Sequence, residues 1–221
     1  QLNIGTFEWI KGEKIEKPNE DDLQQALHLI RALYELRNTS DASGLPTATD
    51  ACLSGSNLVR QINSRRKRLL LPATLHKQLQ SHLENIFDPL WIKVQKWIKK
   101  NWPFNVDFNV TLSRDLQTLS PSDFGFHNAL RKDSARLCFL DFEYFGWDDP
   151  VKLVSDFWWH PGMHLANQLR TIWLQETFEL FRGDPYFLSR LNILHPVFGL
   201  NWSLIVLNSY LPRARGKNQK Y

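Results

Sequence analysis

Asp123, Asn128 and Asp141 are the residues of this chain whose types and spacing could do chemistry. The first two stand in the run Ser120-Pro121-Ser122-Asp123-Phe124-Gly125-Phe126-His127-Asn128-Ala129-Leu130, and the third follows in Leu140-Asp141-Phe142-Glu143. A carboxylate at the start of a loop can accept the proton of an attacking hydroxyl. By Asn128 the chain has turned far enough for an amide oxygen to reach a metal. The apolar strand Arg136-Leu137-Cys138-Phe139-Leu140 then delivers a second carboxylate to the same point. Hard oxygen donors of this kind suit Mg²⁺, which takes only one or two protein carboxylates and completes its shell with water and phosphate. The set outlines a phosphoryl-transfer centre, with Asp123 as the catalytic base and Asn128 and Asp141 as metal ligands.

Other elements must hold these groups together. Ala129-Leu130-Arg131 and Leu137-Cys138-Phe139-Leu140 read as a hairpin across the turn-forming Lys132-Asp133-Ser134-Ala135. That pairing puts Asn128 and Asp141 on the same side. Asp148-Asp149-Pro150 opens the next helix, with Asp149 as its cap and Pro150 at its first position. Asp156, further along, is expected to reach back to the backbone of the Asp123 loop. His127 is read as a packing or loop-bracing residue, and Glu143 as support. The cluster Phe157-Trp158-Trp159-His160-Pro161-Gly162-Met163-His164 reads as acceptor-pocket wall or core packing. A zinc pair at His160 and His164 would need the helix that Pro161-Gly162 interrupts.

The rest of the chain is scaffold. Residues 4–10 read as a strand ending in a turn at Lys11-Gly12-Glu13. Asn19 caps a helix whose apolar face is Leu23, Ala26, Leu27, Ile30, Leu33 and Tyr34. Residues 38–56 are a loop, either a pocket rim or an insertion. The longest apolar stripe, Leu79 to Ile98, contains Pro89, which predicts a kink or break near Asp88. The uncharged stretch 191–211 is interrupted by Asn192, His195, Pro196, Gly199, Asn201 and Asn208, and reads as buried helices and not a transmembrane segment.

With 221 residues, 43% of them apolar, the chain can bury one sizeable core. Its two cysteines, Cys52 and Cys138, are far apart and in no C-x-x-C pattern, which predicts a reduced, cytoplasmic protein. The net charge of +4 is concentrated in Arg65-Arg66-Lys67-Arg68 and in the tail from Arg213. A helix end and a tail are not the spread basic face, interleaved with aromatics, that a nucleic-acid surface needs.

The chain resembles the aminoglycoside phosphotransferase and choline kinase family. The shared features are Asp123 and Asn128 in D-x-x-x-x-N spacing, Asp141-Phe142-Glu143 where kinases carry D-F-G, and Phe7-Glu8-Trp9-Ile10-Lys11-Gly12 upstream. It departs from the usual H-G-D-x-x-x-x-N in having Pro121-Ser122 in place of His-Gly. The resemblance implies an α+β, protein-kinase-like fold: a mostly helical C-terminal lobe (13–212) with a short catalytic hairpin, preceded by a hinge strand (1–12) and followed by a basic tail (213–221). It implies ATP and Mg²⁺ as cofactors. Adenine would lie on the hinge backbone, with Phe7 behind it, the Glu8 C=O accepting and the Ile10 N–H donating. The acceptor would be a small-molecule hydroxyl: an aminoglycoside, a sugar, a choline-like alcohol or a glycolipid. Gln1-Leu2-Asn3-Ile4 reads as mid-strand, so an N-terminal lobe of the same protein is the expected partner. The alternative expectation is a non-catalytic kinase-like module that holds a ligand without turning it over.

Overall fold

Side-chain caps and apolar stripes set the helices. The computed structural model describes residues 8–211. Helix α1 (Glu20–Leu36) opens on a capping box: Asn19 accepts from the Asp22 N–H, and Asp22 accepts from the Asn19 N–H. It buries Leu23, Ala26, Leu27, Ile30 and Leu33, the stripe expected from the spacing. Within residues 38–56 lies one short helix, α2 (Ser40–Ser43). Ser54 caps α3 (Gly55–Arg68), whose last turn carries Arg65, Arg66, Lys67 and Arg68, where the negative end of the helix dipole favours cations. Arg66 makes a two-bond contact with Asp88, and Arg65 pairs with Asp50, so half of this cluster is spent on intramolecular ion pairs.

After α4 (Leu70–Leu75) and α5 (Lys77–His82), a π-helical turn, Leu83–Phe87, precedes α6 (Asp88–Asn101). Pro89 explains the break. It has no N–H for the carbonyl one turn back, so the chain widens for a turn and starts a new helix with proline in its first turn.

Two small antiparallel sheets carry the loops. Strand β1 (Glu13–Lys14) pairs with β3 (Ala129–Arg131), which forms the expected hairpin with β4 (Leu137–Phe139). The second sheet joins β2 (Thr118–Ser120) to β5 (Gly146–Asp148). Of the predicted strand at 4–10, residues 4–7 lie outside the described residues, and 8–10 pair with no strand among the described residues. The pairing falls at Glu13–Lys14 because there the chain comes against the hairpin. A Cβ on Gly12 would sit 2.9 Å from Leu130 Cβ and 3.0 Å from the Arg131 carbonyl oxygen.

Helix α7 (Pro150–Trp159) runs through the middle and is buried from Pro150 to Phe157. Asp149 caps it by accepting from the Val151 N–H, with Pro150 in the first turn, as expected. It packs against α8 (Asn167–Phe181) and α9 (Phe187–Val206), with Phe157 stacked on Trp173 at 3.8 Å. The segment Phe187–Tyr210 is long and apolar enough to cross a membrane. In this fold α9 buries Leu191, Leu194, Val197, Phe198 and Leu204 in the core, and its Arg190 is ion-paired with Asp149 and Asp184.

Candidate functional site

The Asp123 loop runs through bends into a 3-10 turn, Phe126–Asn128, and is pinned by two aromatic side chains. Phe124 and Phe126 enter the core and meet Phe157 at 5.5 Å each. Asp123 and His127 stay partly exposed. Gly125 lets the turn Pro161–Met163 close over the loop: a Cβ there would lie 2.3 Å from Met163 Sδ and 2.8 Å from His127 Nδ1. Ser122, immediately before Asp123, has φ 69°, a left-handed conformation that costs an L-residue roughly 1 kcal/mol. Its hydroxyl offsets part of that by donating to the Thr49 carbonyl at 3.0 Å.

Three side chains surround the Asp123 carboxylate. His127 Nε2 donates to Oδ1 at 3.0 Å, and the Asn128 amide nitrogen donates to Oδ2 at 3.2 Å and to the Asp123 carbonyl at 3.0 Å. His160 Nε2 stands 3.8 Å from Oδ1, and the two imidazoles stack at 3.6 Å. The His127 hydrogen bond, more than any other group, holds the Asp123 carboxyl below the usual carboxylate range against the opposing effect of burial. His127 is therefore a loop-bracing residue, as expected.

A metal among Asp123, His127 and His160 is a natural question, since their ligand atoms lie within 4.8 Å of one another. The hydrogen bonds argue against it. The Gly162 N–H donates to His160 Nδ1 at 3.0 Å, so the neutral ring carries its proton on Nε2, the atom that would have to coordinate. His164, in a left-handed conformation, closes the following turn.

Asn128 and Asp141, the expected metal ligands, lie at adjoining strand ends of the β3–β4 hairpin. Because the Asn128 nitrogen is spent on Asp123, its Oδ1 is the free end of the amide. The Leu140 N–H donates to the Asn128 carbonyl at 2.8 Å, continuing the hairpin register by one pair, and Asp141 follows directly. Asp141 is exposed, with φ 63°. Two oxygen donors on adjoining strand ends fit a hard cation of the Mg²⁺ kind.

Of the predicted hinge residues, Phe7 lies outside the described residues, and Glu8 and Ile10 make no hydrogen bond among the described residues. The expected role of Asp156 is corrected. Its carboxylate is taken by Lys152 at 3.0 Å and by the Trp202 indole N–H at 2.8 Å, so it ties α7 to α9 and makes no bond to the loop backbone.

Beside Asp123 opens a cavity of about 450 Å³, rimmed by Thr49 and Asp50 and walled by residues of α3, α7 and α9 together with His160 and Tyr144. Of residues 38–56, Thr49 and Asp50 thus rim this cavity. His127 lines a second cavity of about 540 Å³, with residues 14–17 and His164. The stacked pair thus presents one ring to each cavity. Sequence reasoning missed Gln61, Arg65, Lys152, Asn201 and Trp202. The one available signal was the aromatic and histidine cluster, which divides as anticipated, with Phe157 in the core and His160 on the wall.

Burial pulls His160 down to about 4, helped by His127 and opposed by Asp123. Burial, helped by Arg170, does the same to His195. Both rings fold neutral, whereas the unfolded chain protonates them below about 6.5. The unfolded state therefore binds more protons between pH 6.5 and 4, and these two groups withdraw stability as pH falls through that window. In urea unfolding at a series of pH values, His195→Gln and His160→Gln are each expected to gain on the wild type as pH drops from about 6.5 to about 4.5. Parallel curves would show that the rings are protonated in the fold.

No family model and no curated protein matches this sequence.

Proposed function

We propose that the chain carries the catalytic side of an ATP- and Mg²⁺-dependent phosphotransferase acting on a hydroxyl of a small molecule, within a kinase-like lobe. The observation that carries this reading is the arrangement around Asp123: an ionised carboxylate braced by His127 and by the Asn128 amide nitrogen on one side and open to a cavity on the other, with Asp141 next in the chain after Leu140, whose N–H bonds the Asn128 carbonyl. The resemblance to aminoglycoside and choline kinases supports the same assignment.

Asp123 orients the acceptor hydroxyl and takes its proton as the hydroxyl oxygen bonds to the terminal phosphorus of ATP and the bond to ADP breaks. His127 and Asn128 keep that carboxylate from swinging into the cavity, and positioning of this kind supplies much of the rate in phosphoryl transfer. Asn128 Oδ1 and the Asp141 carboxylate would hold Mg²⁺, which when bound neutralises phosphate charge. The left-handed Ser122 and Asp141 place two strained residues at the reacting groups, as fits a loop whose geometry is set by function.

Calorimetry with a non-hydrolysable ATP analogue tests the reading. Binding should require Mg²⁺, and Asp141→Asn and Asn128→Ala should each weaken it at least about tenfold, a loss of roughly 1.4 kcal/mol. Nucleotide affinity indifferent to Mg²⁺, or unchanged in both variants, would remove the metal assignment and with it the phosphotransferase.

A further inference from the structure

We infer that the cavity beside Asp123 takes a neutral, hydroxyl-rich acceptor of the sugar class, in preference to a polycation or a quaternary amine. The inference rests on the phosphotransferase reading for its chemistry, but its binding argument comes from the cavity wall.

Charge is the first constraint. The wall holds Asp50, Arg65, Lys152 and Asp156, and each is already paired: Arg65 with Asp50 at 2.9 Å, and Lys152 with Asp156 at 3.0 Å and with Asp148 at 3.2 Å. Asp123 is held by His127. Among the described residues lining the cavity, Asp123 is the one carboxylate without a partner of fixed charge, and a single carboxylate cannot answer the several ammonium groups of a polycation. A polycation would have to displace Arg65, or Lys152, which is 5% exposed and has its charge held by Asp148 and Asp156. A quaternary amine needs an aromatic cage. Here Trp202 and Tyr144 are the only aromatics besides His160, and Arg65 and Lys152 share their wall.

Hydrogen bonding is the second constraint, and it points to hydroxyls. Gln61 spends its amide nitrogen on the carbonyls of Asp50 and Ala51, at 2.7 and 3.2 Å, so its Oε1 is fixed as an acceptor, and that atom has no partner. Asn201 is 3% exposed and lines the cavity with Oδ1 unpartnered. Arg65 Nε is an unpartnered donor. Buried polar atoms are nearly always satisfied, so orphans gathered on one wall mark where a ligand's groups belong. A hydroxyl is donor and acceptor together and can answer either kind. The indole of Trp202, fixed by its bond to Asp156, adds the flat apolar face that the C–H side of a sugar ring can cover. The volume, about 450 Å³, lies within the range of small-molecule sites, ~300–1,000 Å³.

The test is ligand-observed NMR and calorimetry on the full chain without nucleotide. The probes are glucose, galactose, mannose and N-acetylglucosamine, against kanamycin and choline at equal millimolar concentration. At least one sugar should bind, and Asn201→Leu and Gln61→Leu should each weaken it about fivefold or more, the loss expected of a hydroxyl contact. Gln61, only half-buried, keeps the test sound if Asn201→Leu does not fold. Kanamycin or choline binding better than every sugar, no sugar binding, or sugar binding indifferent to both substitutions would each overturn the inference. Calorimetry with the non-hydrolysable ATP analogue, run alongside, separates the two claims. Sugar binding with nucleotide affinity indifferent to Mg²⁺ keeps the cavity assignment and removes the phosphotransferase, whereas kanamycin or choline binding best beside Mg²⁺-dependent nucleotide binding does the reverse.

Discussion

Asp123→Asn is expected to lower phosphoryl transfer by about 10²–10⁴-fold while nucleotide affinity stays within about twofold of wild type. The substitution keeps the shape of the side chain, and an amide oxygen can still accept from His127 Nε2; the bond from the Asn128 amide nitrogen to Oδ2 is lost, but the one to the residue-123 carbonyl at 3.0 Å remains and holds the loop. What it removes is a group able to take the hydroxyl proton. Asn128 keeps its bond to the residue-123 carbonyl and Asp141 is untouched, so Mg²⁺-dependent nucleotide binding should persist. ADP formation with an acceptor that supports turnover, beside calorimetric nucleotide binding, measures both quantities. A variant within tenfold of the wild-type rate, or one that loses nucleotide as Asp141→Asn does, would contradict the division of roles. It would favour a module that holds its ligand without turning it over.

Arg190→Leu is expected to remove about 3–5 kcal/mol of stability. Arg190 on α9 donates to both oxygens of Asp149, at 3.1 and 3.3 Å, and to Asp184 at 2.7 Å, with all three residues buried. Burial pushes the Asp149 carboxyl up to about 6, with Arg190 opposing the shift. Without the guanidinium, two carboxylates are left facing each other out of water, and Asp149 is also the cap of α7. Its folded value then rises further above the unfolded one. A carboxyl raised in the fold contributes stability at low pH that is lost as pH rises through its folded value, so the deficit of the variant should grow from pH 5 to pH 8. Urea denaturation at both pH values reads this directly. Adding Asp149→Asn and Asp184→Asn to Arg190→Leu should recover most of the loss, because the cost lies in the orphaned charges. A deficit under about 1 kcal/mol would mean that water reaches the cluster.

The two effects are linked through α7. Its cap is held by Arg190, its buried Phe157 supports Phe124 and Phe126, and the residue after its last turn, His160, stands beside Asp123. Where the H-G-D-x-x-x-x-N pattern has a histidine two residues before the aspartate, this chain has Pro121. The imidazoles beside Asp123 come instead from His127, four residues after it, and from His160, in another element.

What the sequence by itself determined lies within a few residues along the chain. Asn19 and Asp149 cap helices because their side chains reach N–H groups only two or three positions away. Pro89 breaks a helix because of its own missing donor, and the 129–139 hairpin forms because Lys132-Asp133-Ser134-Ala135 turns the chain between two apolar runs. For the same reason Asp123, Asn128 and Asp141 could be named together: one loop and one hairpin carry all three. The cavity could not be read in this way. Gln61 and Arg65, Lys152 and Asp156, and Asn201 and Trp202 belong to three helices far apart in sequence, and meet only because buried stripes pack α3 and α7 against α9. The strand at Glu13–Lys14 likewise awaited its partner, since a strand needs a neighbouring edge to pair with. Asp156 is held by Lys152, one turn back on its own helix, and by Trp202, which only the packing of α9 against α7 brings to it.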